Sequence, residues 1–164
     1  LEELGGPAAA LDLARAANDE LAELVRRHPD RFAGFTAALP MSDPAAAAAE
    51  LDRAMTGLGA LGAQLHTNVS GAPLDQPRFT PIFDTVARHG GALWIHPTRS
   101  PAWPDYPAEN RSEYGIWWSL GWPYETSVCM ARLVYSGFFD TYPDLPVITH
   151  HAGAMVPHLS LIHI

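Results

Sequence analysis

Apolar residues recur along this chain in two different patterns. In four stretches they return at steps of three and four residues with charged residues between them, as in an amphipathic helix. Four shorter runs are almost continuously apolar, as in a buried strand. The predicted helices are Ala8–Arg27, Pro44 to about Leu58, Pro77–His89 and Pro123–Phe139, and the predicted strands are Phe32–Leu39, Ala63–Val69, Ala92–Ile95 and Leu145–Ile148. Helix and strand therefore alternate four times.

This alternation predicts an α/β fold with a parallel sheet. The first three strands begin about thirty residues apart, the spacing of strands joined by crossover helices. No Gly-x-Gly-x-x-Gly or Walker motif follows a strand, so dinucleotide-binding and P-loop folds have no support. A (β/α)8 barrel fits, but it typically needs about 250 residues and eight strands. We therefore predict a partial (β/α)8 TIM-type barrel of about four βα units, in one domain over residues 1–164.

The composition argues against two classes of partner, nucleic acid and a membrane. With 48% hydrophobic and 17% charged residues, the chain of 164 residues has the balance of a soluble globular protein. Its net charge of -8 and lack of a basic cluster disfavour nucleic acid. No apolar run is long enough for a membrane span. The single cysteine, Cys129, fits a reducing cytoplasm.

Histidines follow three of the four predicted strands. His66, His96 and the adjacent His150 and His151 stand at or just beyond strand ends. A single strand-end histidine is more often structural than chemical, but parallel neighbours bring their carboxyl ends to one rim. Neutral imidazoles there can bind a divalent metal or transfer protons near pH 7. The other histidines in the predicted elements, His28, His89 and His158, do not stand at strand ends, and we expect structural roles for them.

The connection after His96 is rich in aromatic residues. Residues 98–122 contain Trp103, Tyr106, Tyr114, Trp117, Trp118 and Trp122. Lying over a barrel mouth, these rings would exclude water and stack on a planar substrate, and Trp117 is our candidate for that contact. Packing at a subunit interface explains the same composition equally well. Half a barrel also leaves unpaired sheet edges, which favour association, so a homo-oligomer is one of the expected states.

Several motifs also carry a resemblance to a known family. They are Leu74-Asp75-Gln76-Pro77-Arg78-Phe79, Ile95-His96-Pro97, Pro123-Tyr124-Glu125-Thr126, the run from Ser136 to Leu145, and His151-Ala152-Gly153-Ala154. In order and spacing, from about Phe32 to Pro157, the chain resembles the amidohydrolase-related group that contains aminocarboxymuconate semialdehyde decarboxylase and γ-resorcylate decarboxylase. The resemblance implies a distorted (β/α)8 barrel of which this chain is the middle, roughly the third to sixth strands.

The resemblance also implies roles for individual residues. His96 matches a metal-binding histidine, and His151 matches a catalytic histidine close to the metal. His66 and Asn68 lie by analogy on a substrate-side loop, while His150 is unassigned and expected to be structural. The implied cofactor is a divalent metal, zinc first and manganese second, which polarises a carbonyl or activates water while the imidazole moves the proton.

Two departures from the family limit this expectation. No His-x-His precedes the first strand and no metal-binding aspartate follows the fourth, and His163 is not a substitute. A catalytic metal needs about three protein ligands, so we expect a fragment that is inactive alone, with residues 158–164 not native.

We expect the parent to be a metal-dependent enzyme acting on a small aromatic or unsaturated carboxylate, with decarboxylation slightly favoured over hydrolysis. The alternative is a non-catalytic α/β module with structural histidines and an aromatic loop that binds a partner.

Overall fold

The computed structural model describes residues 6–159. The four predicted helices and three of the four predicted strands are present, with short additional elements between them. The α-helices are α1 (Gly6–Arg27), α2 (Pro44–Gly57), α3 (Thr80–Arg88), α4 (Ile116–Ser119), α5 (Gly121–Tyr135), α6 (Phe138–Thr141) and α7 (Val156–Leu159). The strands are β1 (Gly62–His66), β2 (Asn68–Val69), β3 (Ala72–Pro73), β4 (Ala92–His96) and β5 (Val147–Thr149), and single 3-10 turns span Pro77–Phe79 and His151–Gly153. Residues 160–164 of the predicted non-native tail, with His163, lie outside the described residues.

The larger sheet has the strand order β1-β4-β5 and is parallel. The prediction of an α/β fold with a parallel sheet is therefore confirmed. A second sheet of two short strands pairs β2 with β3 antiparallel, with Asn68 opposite Pro73 and Val69 opposite Ala72. The predicted strand Ala63–Val69 is thus broken after His66, where the chain leaves the parallel sheet for this hairpin.

The predicted strand Phe32–Leu39 is wrong. Only Ala37 makes a bridge, a parallel one to Ala63. Phe32 is 43% exposed, whereas Phe35, Ala37 and Leu39 are buried, so the second half of the run lies in the core without forming a longer ladder. Gly62, in the partner strand β1, has φ 148°, and a Cβ there would collide with the Ala92 carbonyl oxygen. The close approach of these backbones requires glycine at that position.

Helix starts and ends follow local chemistry. Asp43 caps α2 as its position before Pro44 predicts, and its carboxylate accepts from the N–H groups of Ala45 and Ala46. The helix predicted from Pro77 begins as a 3-10 turn, and the one predicted from Pro123 begins two residues earlier, at Gly121. It also ends sooner because Gly137, with φ 76°, breaks it before α6.

The chain divides into two compact units. The first comprises the chain up to Leu65 with Gln76–Trp94 and Tyr142–Val147, and the second comprises His66–Asp75, Ile95–Thr141 and the chain from Ile148. In the first unit α2 packs against α3 and α1. Fully buried side chains of this unit include Leu51, Leu65, Phe79, Ile82, Val86 and Leu93. In the second unit Leu74, Ile95, Cys129 and Leu133 are buried.

A buried polar network holds the segment before α2 in the first unit. Asn18 is fully buried, and its amide donates to the Ala38 carbonyl oxygen at 3.0 Å and to Glu50 Oε1 at 2.7 Å. The Ala38 N–H donates back to Asn18 Oδ1 at 2.8 Å. Arg53 forms a two-nitrogen pair with Glu50. These bonds satisfy groups that would otherwise be costly to bury.

The described helices include none that is both long and apolar enough to cross a lipid bilayer.

We predict that Asn18→Ala lowers the free energy of unfolding by about 2–4 kcal/mol, because it leaves the Ala38 backbone groups without their partner and removes one of the two hydrogen bonds to Glu50 Oε1. Urea unfolding of the purified protein measures this. Glu20→Ala, at an exposed position of the same helix, should change stability by less than about 0.5 kcal/mol. Equal losses in the two variants would contradict the assigned role of Asn18.

Stability should also depend on pH through Glu50. Burial raises the pKa of this carboxyl, but hydrogen bonds from Arg53 and Asn18 and the charges of Arg53 and Arg15 outweigh burial and hold the pKa below its ordinary 4.5. A pKa depressed in the folded state stabilises the protein above about pH 4.5, and this contribution disappears as pH falls through the folded-state pKa.

We therefore expect Glu50→Gln to be less stable than the parent sequence near pH 7, with the gap narrowing below pH 4.5. Urea unfolding across pH 3 to 7 gives the comparison, with Glu20→Gln as the matched control. A gap that stays constant over this range would rule out the linkage.

Candidate active site

His96 is the last residue of β4, at the carboxyl end of the parallel sheet. Its Nδ1 lies 2.7 Å from the carbonyl oxygen of Pro97. A carbonyl oxygen only accepts, so Nδ1 carries the proton and Nε2 keeps its lone pair. This tautomer is the one that a metal or a proton donor at Nε2 requires.

His151 brings its own Nε2 to the same place. It follows β5 and begins the 3-10 turn His151–Gly153. The two Nε2 atoms of His151 and His96 are 3.3 Å apart. The lone pair of His96 therefore faces the reactive nitrogen of a second imidazole, an arrangement suited to sharing a proton or an ion.

Other rings surround His96. His66, Trp122, His150 and His151 have ring centroids 5.9, 5.1, 5.0 and 5.1 Å from it, all at steep interplanar angles. Trp122 also contacts His151, at 5.7 Å. The structure thus brings together all four histidines that the strand ends predict.

His150 sits in a poorly hydrated position within this cluster. Its pKa is lowered by burial, and further by the neighbouring His96 and His151. Its Nε2 atom is buried and has no hydrogen-bond partner in the described part of the chain, and the same holds for Nε1 of Trp122. Burial of this kind favours the neutral form of the His150 imidazole.

Asn68 and Trp117 are placed differently from the histidines. The Asn68 amide donates to the Thr98 carbonyl oxygen at 3.0 Å and to Glu125 at 3.4 Å, and its Oδ1 accepts from the Gly71 N–H at 2.9 Å. Trp117 packs edge-on against Trp122, with the centroids 6.0 Å apart. Asn68 therefore ties loops together, and Trp117 reaches the histidine cluster through another indole.

A cavity of about 310 Å³ opens beside Asn68. Its charged lining groups are paired with one another. Arg99 bonds Glu125 at 3.0 Å, and Arg132 forms a two-nitrogen fork with Asp75. Cys129 also lines the cavity, and burial first and nearby carboxylates second raise the pKa of its thiol to about 12. The thiol is therefore protonated and unreactive near neutral pH.

The sequence places Trp122 among the aromatic residues over the barrel mouth, but it does not predict the contacts of this ring with His96 and His151, nor the Arg99–Glu125 pair. The helix begins at Gly121, two residues before the predicted start, so Trp122 lies in its first turn. Gly121 lies against Arg99, since a Cβ there would be 2.5 Å from Arg99 Cδ. The glycine before Trp122 was the available signal for such a close approach.

The histidine pair fits part of a metal site. Two nitrogens each about 2.0–2.1 Å from one tetrahedral ion are about 3.3 Å apart, and the two Nε2 atoms match this separation. Within residues 6–159, however, no group of three or more His, Cys, Asp or Glu side chains is arranged to hold a metal. A full ligand set would need donors beyond those described.

The family model described as Amidohydrolase matches residues 3–161. The chain belongs to the amidohydrolase family. It is 42% identical over 159 residues to a γ-resorcylate decarboxylase of a Polaromonas species, covering 91% of this chain and 47% of that protein. It is 35% identical over 151 residues to a 2-amino-3-carboxymuconate-6-semialdehyde decarboxylase of Dictyostelium discoideum, covering 92% of this chain and 40% of that protein.

Solved structures agree with this membership. The chain is 32% identical, with a TM-score of 0.86, to 5-carboxyvanillate decarboxylase of Novosphingobium aromaticivorans, complexed with manganese and 4-hydroxy-3-methoxy-5-nitrobenzoic acid; the match covers 97% of this chain and 44% of that one. For 2,6-dihydroxybenzoate decarboxylase from Rhizobium the identity is 31% and the TM-score 0.79, covering 95% and 50%. The amidohydrolase chain therefore spans about half the length of the relatives that it matches.

The turn that carries His151 in this amidohydrolase chain has an unusual backbone. Four consecutive residues have positive φ: 54° at His151, 55° at Ala152, 76° at Gly153 and 54° at Ala154. Only glycine adopts such angles without penalty, and each of the others costs of order 1 kcal/mol. The strained backbone therefore includes His151 itself, whose Nε2 approaches that of His96.

We predict that Ala152→Gly raises the free energy of unfolding by about 1 kcal/mol, because it removes a Cβ from a left-handed residue. Gly153→Ala should have the opposite sign, since its φ is 76° and the new Cβ would lie 3.3 Å from Pro157. Urea unfolding of both variants tests this pair. If both substitutions shift stability in the same direction, the backbone angles assigned to this turn are incorrect.

Proposed function

We propose that the whole protein containing this chain is a metal-dependent carboxy-lyase that decarboxylates a small aromatic or unsaturated carboxylate. The observation that carries the proposal is the 3.3 Å approach of His96 Nε2 and His151 Nε2 at the carboxyl end of a parallel sheet. In the fold that we propose, the chain supplies about four central βα units of one (β/α)8 barrel domain, over residues 1–164.

The relatives support decarboxylation over hydrolysis. The proteins reported above are named for the loss of carbon dioxide from resorcylate, aminocarboxymuconate semialdehyde, carboxyvanillate and dihydroxybenzoate. Their names share a carboxylate on an aromatic or unsaturated carbon, and we carry this substrate class over to the present protein. Hydrolysis is the alternative chemistry, since fold membership alone does not set the reaction.

In this proposal His96 holds a divalent metal through Nε2, because its Nδ1 is committed to the Pro97 carbonyl. Manganese is the ion in a solved relative and zinc is the alternative. The metal, when bound, supplies Lewis-acid polarisation of the substrate oxygens. Its further ligands would come from outside the described residues.

His151 is the proposed catalytic residue. As the bond between the ring carbon and the carboxylate breaks, its electron pair stays on the ring carbon and carbon dioxide leaves. The imidazolium of His151 then gives its Nε2 proton to that carbon, which restores the neutral product. The exchange is balanced, since one proton replaces one carbon dioxide.

Three further residues are proposed to contact the substrate. His66 lies at the end of β1, 5.9 Å from the His96 ring, and Trp117 offers an aromatic face near Trp122. Asn68 would contribute through the second lone pair of Oδ1, because its amide hydrogens are committed to Thr98 and Glu125. Neither nucleic acid nor a membrane is a proposed partner.

We also propose that the protein self-associates and that it is cytoplasmic. Exposed aromatic side chains, among them Tyr106 at 69%, Tyr114 at 96% and Trp118 at 53%, support association of two copies of the protein. A buried, protonated Cys129 thiol agrees with a reducing, cytoplasmic setting.

We expect the whole protein, loaded with manganese or zinc, to release carbon dioxide from 2,6-dihydroxybenzoate or 5-carboxyvanillate. His151→Gln should lower kcat by about 100- to 10,000-fold, because it removes the proton donor, while metal content stays above half of the parent value. His96→Gln should lower metal affinity by at least about 10-fold. Carbon dioxide release and metal content by mass spectrometry are the measurements.

His28→Gln, at an exposed position in the first unit, is the matched control and should leave both quantities unchanged. The isolated 164-residue chain should show no turnover. Full activity of His151→Gln, or hydrolysis products without carbon dioxide, would refute the proposed reaction.

A further inference from the structure

The strained turn at His151 needs a restraint from outside itself. Its own backbone bonds, from the Gly153 N–H to the His150 oxygen and from the Ala154 N–H to the His151 oxygen, are local. Local bonds shape the turn but do not fix its place relative to a neighbouring element. Strained backbone persists when the surrounding structure holds it.

Ser127, in the middle of α5, supplies such a restraint. The backbone N–H of Met155, the residue directly after the turn, donates to Ser127 Oγ at 3.2 Å. The Ser127 hydroxyl in turn donates to the Pro123 carbonyl oxygen at 2.7 Å. Because its proton is committed to Pro123, a lone pair of the hydroxyl oxygen is left to receive the Met155 N–H.

The setting of Ser127 favours a fixed geometry. Its side chain is only 8% exposed, and the partners lie 28 positions apart in the chain. A buried hydrogen bond is stronger than one in water, and losing the acceptor leaves the Met155 N–H unsatisfied. The same helix carries Trp122, whose ring contacts both His96 and His151.

We propose that Ser127 is a positioning residue, which holds the Nε2 atom of His151 beside that of His96 by anchoring the end of the strained turn to α5. The inference rests on the proposed function, since it assigns to Ser127 the placement of the proton donor. Ser127 acts through the backbone of Met155 and touches no reacting atom. A displacement of about 1 Å at a reacting group lowers rates by about 100-fold.

The test compares three variants of the whole protein loaded with zinc, which is diamagnetic and leaves the NMR signals of nearby rings observable. Ser127→Ala removes the hydroxyl acceptor. Because the alanine side chain is smaller than that of serine, it fits the same space and the fold should be retained. Ser127→Thr restores a hydroxyl at the same place. Ser136→Ala is the matched control, because Ser136 directly follows α5 and its hydroxyl, like that of Ser127, donates to a backbone carbonyl, that of Leu133 at 3.1 Å.

Two readouts separate positioning from a purely structural effect. Ser127→Ala should lower kcat by about 10- to 100-fold with KM changed less than about threefold, Ser127→Thr should recover to within about threefold, and Ser136→Ala should be unaffected. Independently of turnover, the NMR signals of the His151 ring should broaden or split in Ser127→Ala alone, and the Met155 amide should exchange faster.

Unchanged His151 ring signals in Ser127→Ala would overturn the inference, and so would an equal loss of kcat in Ser127→Ala and Ser136→Ala. If the unsubstituted protein releases no carbon dioxide from any carboxylate offered, the proposed function fails. The His151 ring signals and the Met155 exchange rate then decide by themselves whether Ser127 anchors the turn. Altered ring signals with faster Met155 exchange in Ser127→Ala support the anchor, and unchanged ring signals overturn it.

Discussion

The pairing of β4 with its two neighbours is the constraint on which the candidate site depends. The Thr67 N–H donates to the His96 carbonyl oxygen at 3.0 Å, and the His150 N–H donates to the Ile95 carbonyl oxygen at 3.1 Å. These two bonds fix the register at the carboxyl ends of the strands. Because side chains alternate along a strand, a shift of one residue would turn His96 to the other face. The histidine cluster therefore follows from backbone pairing before any side-chain contact is made.

Buried polar groups of the chain fall into two kinds. Around Glu50 the buried carboxylate accepts hydrogen bonds from Arg53 and Asn18, so this network stabilises one conformation. Around His96, by contrast, Nε2 of His150 and Nε1 of Trp122 are buried without partners in the described part of the chain. Unsatisfied buried atoms are rare in folded proteins and are found preferentially where function has been favoured over stability.

The same distinction holds for the backbone. Left-handed angles at Gly62 and Gly137 occur at glycine, where they cost little, and they serve the close approach and termination of elements. At His151, Ala152 and Ala154 the angles fall on residues with a side chain. The strain is thus placed where it orients the imidazole opposite His96, and α5 helps to hold it there through Ser127.

The sequence by itself determined the four main helices, the three strands of the parallel sheet, the cap at Asp43, the amidohydrolase resemblance and the strand-end positions of His66, His96 and His151. These features depend on local periodicity and on residue types next to a boundary, which neighbouring residues in the chain control. Tertiary structure decided the rest. The apolar run from Phe32 forms only the bridge between Ala37 and Ala63, and the Trp122 ring meets His96 and His151 through contacts between distant parts of the chain. Whether Nε2 of His151 meets Nε2 of His96 depends on contacts between residues more than fifty positions apart, and no local pattern encodes a distance across the fold.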